Sequence, residues 1–280
     1  MKTFLPSLGA APAATLLLVS LVLPSSASGG DAAPHRTPGG SFVVRTAPSA
    51  VRSSAEGGRM DLVDAPTRTL ARFEAHRVTL PPGGSMPAPS RRAQETFLIV
   101  ERGLLDVAVE GRTARLPPGS MAWIAAHDPH AATNAGDAPA TYLAMSFQPA
   151  TTPARPAAEA RPVLASTLWS WPELAVKPTR TGERRDVVDG PTRTLVNFEC
   201  HLTTLLPGNA PHAGHRHPDE EIFVVKEGTM EATVGGETHR FGPGDWLFVA
   251  SGEEHGWRNV GATPATYHVI RFVTPATPVR

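Results

Sequence analysis

Two histidines one residue apart, followed by a glutamate, form the most chemically specific pattern in the chain. They are His215, His217 and Glu221, in the stretch GHRHPDEEIFVVKEG (residues 214–228). A third histidine, His255, follows a glycine-containing turn in GPGDWLFVASGEEHGWRN. Alternate side chains of a strand share a face, so His215 and His217 should point the same way. If the strands close into a barrel, His255 should face these two histidines from the opposite side. Three imidazoles and one carboxylate suit one divalent ion such as Fe, Mn, Ni, Cu or Zn.

A metal held by these four side chains would keep free coordination positions. Four ligands on a six-coordinate ion leave two positions for water, O₂ or substrate, which a catalytic metal requires. Phe223 and Trp257 are the candidates for the wall of a substrate pocket, with a place in the core as the alternative for the tryptophan. The pattern identifies no catalytic acid or base, although Glu221 could relay a proton as well as bind the metal.

The sequence contains one unit twice. VVDGPTRTLVNFECHLTTLLPG (187–208) repeats LVDAPTRTLARFEAHRVTLPPG (62–83), and an offset of 125 residues aligns 61–147 with 186–272 at 35 identities over 87 positions. Each unit has short apolar runs separated by Pro-Gly and Gly-Gly turns, without a long helical periodicity. This pattern predicts an all-β protein with a jelly-roll barrel in each unit.

The composition places the domain boundaries around these units. Residues 29–55 are polar and rich in Gly, Pro and Ser, and we expect them to be disordered or extended. The first barrel is assigned to residues 56–150 and the second to residues 166–280. A Pro/Ala-rich linker at 151–165 separates them.

The first unit keeps only one of the four candidate ligands. His130 corresponds to His255, whereas the other three positions hold Ser90, Arg92 and Thr96. A guanidinium repels a cation and has no lone pair to offer it. The first barrel is therefore predicted to be metal-free and to pair with the second as a structural partner. An alternative is that Arg92 contacts an anion in the vacated pocket.

These motifs resemble those of the cupin superfamily, in its duplicated or bicupin form. The first cupin motif reads G-x5-H-x-H-x3,4-E-x6-G, and here six residues instead of five follow Gly208 before the ligands that end at Gly228. The second reads G-x5-P-x-G-x2-H-x3-N, and its positions hold, in order, Gly244, Ala250 in place of the proline, Gly252, His255 and Asn259. The resemblance covers about two thirds of the chain. It implies two tandem double-stranded β-helix barrels, with one metal ion per chain at His215, His217, Glu221 and His255.

The resemblance leaves three classes of function open. The second unit looks most like small quercetinase-like bacterial cupins, which implies a metal-dependent oxidoreductase of dioxygenase type acting on a small molecule. One alternative is a metal-dependent hydrolase, lyase or isomerase similar to ureidoglycine aminohydrolase, whose second-half ligand pattern opens with a carboxylate and differs from His-x-His. The other is a non-catalytic protein that binds a metal and a small ligand.

The charge balance narrows the range of partners. The chain has 26 basic and 26 acidic residues, so it lacks the basic field that attracts nucleic acid or an anionic membrane. We expect a small-molecule substrate and pairing of the two barrels within the chain. The sequence also leaves open the formation of a homo-oligomer.

The N-terminal residues are typical of a secretory signal peptide. Lys2 precedes an apolar run at 13–23 and small residues at 24–30. We expect residues 1–28 to be removed from a bacterial protein exported to the periplasm or the medium, with no membrane attachment after cleavage. Mass spectrometry of the native chain should find its first residue near Gly29, and a chain that retains 1–23 would contradict export by this route.

Overall fold

The computed structural model consists almost entirely of antiparallel β-strands. It describes Met1 and residues 39–46, 57–86, 90–154 and 161–279. The segment Ala33–Arg280 forms one compact unit, and the expected signal peptide lies outside the described residues apart from Met1. Among the residues that are described, no helix is long and apolar enough to cross a membrane.

The strands of the first half correspond to the first copy of the internal repeat. They are β1 (Phe42–Val44), β2 (Gly58–Ala65), β3 (Arg72–Leu80), β4 (Glu95–Arg102), β5 (Leu105–Val109), β6 (Arg112–Leu116), β7 (Met121–Ile124), β8 (His130–Asn134) and β9 (Ala140–Gln148).

The second half repeats this order and adds a short edge strand and a 3-10 turn, Trp171–Glu173. Its strands are β10 (Thr167–Trp169), β11 (Lys177–Thr179), β12 (Gly182–Gly190), β13 (Asn197–Leu205), β14 (Glu220–Glu227), β15 (Met230–Val234), β16 (Glu237–Phe241), β17 (Trp246–Val249), β18 (His255–Asn259) and β19 (Ala265–Val273).

Each barrel is made of a large and a small sheet. The first has the strand orders β10-β7-β4-β9-β3-β2 and β6-β5-β8, and the second has β1-β17-β14-β19-β13-β12-β11 and β16-β15-β18. The smaller sheets alternate buried and more exposed positions, as in β5 (LDVAV) and β15 (MEATV), which is the pattern of sheets with one face towards a core. The predicted all-β fold with two tandem barrels is confirmed.

Strand β4 is apolar on both faces because each face meets a different core. Leu98 and Val100 belong to a core cluster made of first-barrel residues, whereas Phe97 and Ile99 belong to a cluster that contains residues of both barrels. Successive side chains of a strand point to opposite faces, so the continuous run TFLIV supplies both cores. The run EIFVV of β14 does the same in the second barrel.

The two barrels exchange strands. Strand β1 lies before the first barrel in sequence but pairs with β17 of the second, where the ring of Phe42 stacks on Phe248 at 4.9 Å between centroids. Strand β10 lies before the second barrel but pairs with β7 of the first. The boundary predicted at residue 166 therefore assigns β10 to the barrel with which it does not pair. Residues 42–44, expected to be disordered or extended, form a paired strand.

A buried carboxylate of each barrel binds a Thr-Arg-Thr turn of the other. Glu95 is 0% exposed and accepts hydrogen bonds from the hydroxyl groups of Thr192 and Thr194. It also accepts the backbone N–H groups of Arg193, at 2.8 Å, and Thr194, at 3.1 Å. These bonds satisfy a carboxylate that burial would otherwise destabilise.

The second barrel makes the same kind of contact with the Thr-Arg-Thr turn of the first barrel. Glu220 accepts the hydroxyl groups of Thr67 and Thr69, each at 2.6 Å, and the N–H of Arg68 at 3.0 Å. The guanidinium of Arg68 continues to Glu253 at 2.5 Å. The barrels are thus related by a pseudo-two-fold axis, and intramolecular pairing of the two domains follows from these contacts.

Candidate metal centre

The histidines of the motif lie on two segments that run side by side. The N–H of His215 donates to the carbonyl of His255 at 2.9 Å, and the N–H of His255 donates back at 2.9 Å. Glycine favours this close approach, because a Cβ added to Gly256 would make a tight contact of 3.1 Å with the Cα of Gly214. The predicted reason for the shared face is wrong, since β14 begins at Glu220 and both His215 and His217 precede it.

The three imidazoles form a compact group. Their ring centroids are separated by 4.7 Å for His215–His255, 4.9 Å for His217–His255 and 5.3 Å for His215–His217. One ligand atom of each lies within 4.8 Å of the others. The carboxylate of Glu221 completes the set, because its Oε2 lies 3.0 Å from Nε2 of His255 and 3.3 Å from Nε2 of His217.

Backbone carbonyls fix the tautomers of the two buried histidines. Nδ1 of His217 lies 3.0 Å from the carbonyl of Asp219, and Nδ1 of His255 lies 2.9 Å from the carbonyl of Glu253. A carbonyl only accepts, so each Nδ1 carries the hydrogen and a neutral ring turns an unprotonated Nε2 towards Glu221. Lone pairs that face a carboxylate repel one another. The arrangement therefore requires positive charge between them, either a metal ion or protons on the rings.

The pKa shifts describe the same charge pattern. Burial alone would raise the pKa of Glu221, but hydrogen bonds from His217 and His255 lower it to about 2. Burial lowers the pKa of His215, and the neighbouring histidines lower it further. The pKa of His255 is raised, because the bond to Glu221 outweighs its burial. The carboxylate is ionised at neutral pH and attracts a cation to this centre.

An open cavity of about 820 Å³ reaches the centre. His215, His217 and Arg271 are among its lining residues. Arg271 stands opposite Glu221 in the β14–β19 pairing and forms an ion pair with Asp219. A positive side chain therefore lies beside the approach to the imidazoles that this cavity provides.

The two aromatic candidates occupy different surroundings. Phe223 is fully buried and packs against Trp257 and Tyr267, with ring centroids 4.8 and 4.4 Å away. Trp257 lies 5.5 Å from the ring of His255 and borders a second cavity of about 580 Å³. The indole N–H donates to the hydroxyl of Tyr267 at 3.1 Å. Their role in a substrate pocket stays a prediction.

The first barrel has side chains that are not metal ligands at three of the four equivalent positions. Thr96, in place of Glu221, shares a hydrogen bond of 2.9 Å with Ser146, which stands in place of Arg271. His130 keeps the tautomer-fixing contact, with Nδ1 3.2 Å from the carbonyl of Asp128. Across the described residues, the group that could hold a metal ion is found in the second barrel alone.

Asn259 of the second motif has a structural role. Its amide donates to the carbonyls of Leu205 and Thr263, each at 2.8 Å, and its oxygen accepts the N–H of Gly261. Asn134 makes the same three kinds of contact in the first barrel. This explains why the unit without the ligands retains the asparagine.

Two antiparallel jelly-roll barrels with a His₃Glu cluster in one of them define a bicupin. The Cupin_2 model, which describes the cupin domain, matches residues 76–146 and 201–271. The matches cover half of the chain and are separated by the offset of the internal repeat. The chain belongs to the cupin domain family, as its motifs predicted.

Solved structures share the fold at low sequence identity. YlbA from E. coli is 16% identical at a TM-score of 0.58, with 88% of each chain covered. A Pseudomonas aeruginosa protein described as glyoxylate-induced is 15% identical at 0.65, covering 90% of this chain and 98% of that one. A single-site mutant of Bacillus subtilis oxalate decarboxylase OxdC is 14% identical at 0.55, covering 72% and 69%. A sequence comparison with curated proteins finds no match.

Sequence reasoning missed the arginine at the centre. Arg271 lies in ATYHVIRF, where the first unit has ATYLAMSF with Ser146. The available signal was a charged residue within an apolar strand of the unit that contains the histidine motif. The other unit has no charge at that position. Glu253 lies in the turn before His255 and forms an ion pair with Arg68 across the interface between the barrels.

Proposed function

We propose that the second barrel binds one divalent transition metal through His215, His217, His255 and Glu221. The observation that carries this proposal is that Nε2 of His255 and Nε2 of His217 lie 3.0 and 3.3 Å from the buried carboxylate of Glu221, while Nδ1 of each ring faces a backbone carbonyl. Nε2 of His255 is buried and faces the carboxylate of Glu221. The donor set suits Fe, Mn, Ni, Cu and Zn.

The charge of the centre favours an anionic substrate. A divalent ion and one carboxylate sum to a single positive charge, and the guanidinium of Arg271, whose own charge is balanced by Asp219, lies beside the same cavity. Nε of Arg271 is buried and has no partner among the described residues. A small molecule with a carboxylate or another anionic oxygen complements this cavity in charge.

The proposed activity is that of a metal-dependent oxidoreductase of dioxygenase type. A redox-active metal would supply Lewis acidity and activation of O₂. The protein's own residues would orient the substrate through Arg271 and exclude water with the aromatic side chains of the barrel. Glu221 could accept or return a proton during turnover. The resemblance of the second unit to quercetinase-like cupins supports this class.

An O₂-independent lyase or hydrolase is the second candidate. Structures similar to this chain include oxalate decarboxylases, and the Bacillus subtilis enzyme is described as having Mn(II) centres. The same ligands and the same arginine would serve that chemistry, since both classes need a metal that binds an anionic oxygen.

The test is a turnover screen with and without O₂. Protein loaded separately with Fe, Mn, Ni or Zn is incubated with a panel of small carboxylates, including ring-bearing members, and O₂ uptake and products are measured. We expect turnover in air with a redox-active metal and none under strict anaerobiosis, with the His217→Ala variant inactive throughout. Equal rates without O₂, or full activity with Zn, would assign the lyase or hydrolase class. Saturable binding without any product would assign a binding protein.

A further inference from the structure

The first barrel contains a cavity of its own. Its volume is about 650 Å³, which lies within the range of pockets that hold small ligands. Polar side chains converge on it from separate segments, and the lining includes Arg92, Tyr142, His76 and Ser90. Val78, Leu80 and Met86 supply an apolar wall.

Two buried polar groups of this cavity lack partners. Tyr142 is 1% exposed and His76 is 5% exposed. The hydroxyl of Tyr142 and Nδ1 of His76 make no hydrogen bond with any described residue. A buried polar atom left in this state costs free energy unless a ligand or water satisfies it.

Comparison with the second barrel identifies the hydrogen-bond partner that Tyr142 lacks. Tyr267, the counterpart of Tyr142, accepts the indole N–H of Trp257, but Ala132 stands at that position in the first barrel. Replacing an indole by a methyl group removes the donor and its bulk together. The tyrosine of the first barrel therefore keeps its place and loses its partner.

His76 also lacks the partner that its counterpart has in the second barrel. Nδ1 of His201 lies 2.6 Å from Glu199 in the second barrel. The corresponding Glu74 of the first barrel lies 3.1 Å from Arg72 instead. The second barrel has an asparagine in place of Arg72, so this ion pair has no direct counterpart there. Nδ1 of His76 is left without a partner among the described residues.

Arg92 supplies the positive charge of the first-barrel cavity. It occupies the position that corresponds to His217 and is half-buried, and no ion pair joins its guanidinium to a described residue. The other arginine of the cavity, Arg59, is held by Asp61 at 2.7 Å. A single cation without an ion pair among the described residues, beside an apolar wall, favours an organic anion with one carboxylate over a multiply charged one.

We propose that the first barrel binds a small organic monocarboxylate, with Arg92 contacting the carboxylate and Tyr142 and His76 donating to it. Burial raises the pKa of Tyr142 to about 12 and, together with the nearby arginines, lowers that of His76 to about 4. At neutral pH the tyrosine keeps its proton, and the uncharged imidazole still has one N–H to donate. This site is independent of the metal centre in the other barrel.

The test uses the full chain, stripped of metal, with benzoate as the probe and benzamide as its uncharged analogue. Ligand-observed NMR titration should show saturable binding of benzoate and much weaker binding of benzamide. Arg92→Met should weaken benzoate binding about ten-fold or more, because it removes a charge-assisted hydrogen bond. Tyr142→Phe should weaken it several-fold, and its fold should persist because the hydroxyl has no hydrogen-bond partner among the described residues.

Arg91→Met is the matched control. Arg91 is exposed and donates to the backbone carbonyl of His127 at 3.2 Å, so this variant should bind benzoate as the unaltered chain does. Equal affinities of the Arg92→Met and Arg91→Met variants would overturn the proposal. It would also be overturned by loss of all binding in the metal-stripped chain or in His217→Ala, because the anion would then belong to the metal centre.

Discussion

Replacing His217 by alanine is expected to remove most of the metal from the protein, whereas replacing His130 should leave the metal content unchanged. His217 offers an Nε2 beside Glu221, and loss of one ligand from a four-ligand site weakens binding steeply. His130 is matched in burial and in its backbone contact, but Thr96 stands in the first barrel where the carboxylate would be needed. The measurement is metal content by mass spectrometry after dialysis against a defined metal buffer.

The same experiment fixes the stoichiometry. We expect one equivalent of metal per chain in the unaltered protein and in His130→Ala, and less than about a tenth of an equivalent in His217→Ala. Circular dichroism of both variants serves as the check that each is folded. Two equivalents in the unaltered chain, or loss of metal from His130→Ala, would contradict the single-site model.

The second large effect is expected at the interface between the barrels. Glu95→Ala should lower the free energy of unfolding by about 3 kcal/mol, because it leaves buried hydroxyl and N–H groups of the opposite turn without an acceptor. The measurement is urea unfolding of the metal-free protein followed by circular dichroism and tryptophan fluorescence. Separate transitions for the two probes would indicate that the barrels unfold one after the other.

Glu173→Ala is the control for this substitution. Glu173 is exposed on the 3-10 turn, and a surface substitution of this kind normally changes stability by less than about 0.5 kcal/mol. A similarly small effect of Glu95→Ala would mean that water replaces the carboxylate and that the apolar core shared by both barrels carries the interface.

The repeat and the ligand pattern were predictable because both are local in sequence. The paired motifs predicted the histidines that the structure brings together, and the aligned units predicted the fold. Strand exchange was not predictable from the three-residue strands β1 and β10, since short runs such as FVV and TLW carry no information about which sheet edge they join. Their pairing depends on packing between distant segments.

The cavity of the first barrel was only partly foreseeable. Arg92 was noticed because it replaces a ligand, but the free hydroxyl of Tyr142 depends on a second change, from tryptophan to alanine at position 132. Sequence comparison shows both substitutions without showing that they meet. Only the packing of the barrel places the phenol, the imidazole and the guanidinium around one space.

The pseudo-two-fold arrangement has a consequence for how the two barrels could diverge. A single-barrel chain with the same contacts would form a homodimer in which each subunit lends its first strand to the other. Every substitution in such a dimer appears twice, so an arginine at the ligand position would abolish both metal centres together. Joining the copies in one chain removes that constraint. One barrel can then acquire a new binding surface while the other keeps its metal ligands, and the unchanged Thr-Arg-Thr contacts hold the unequal pair together.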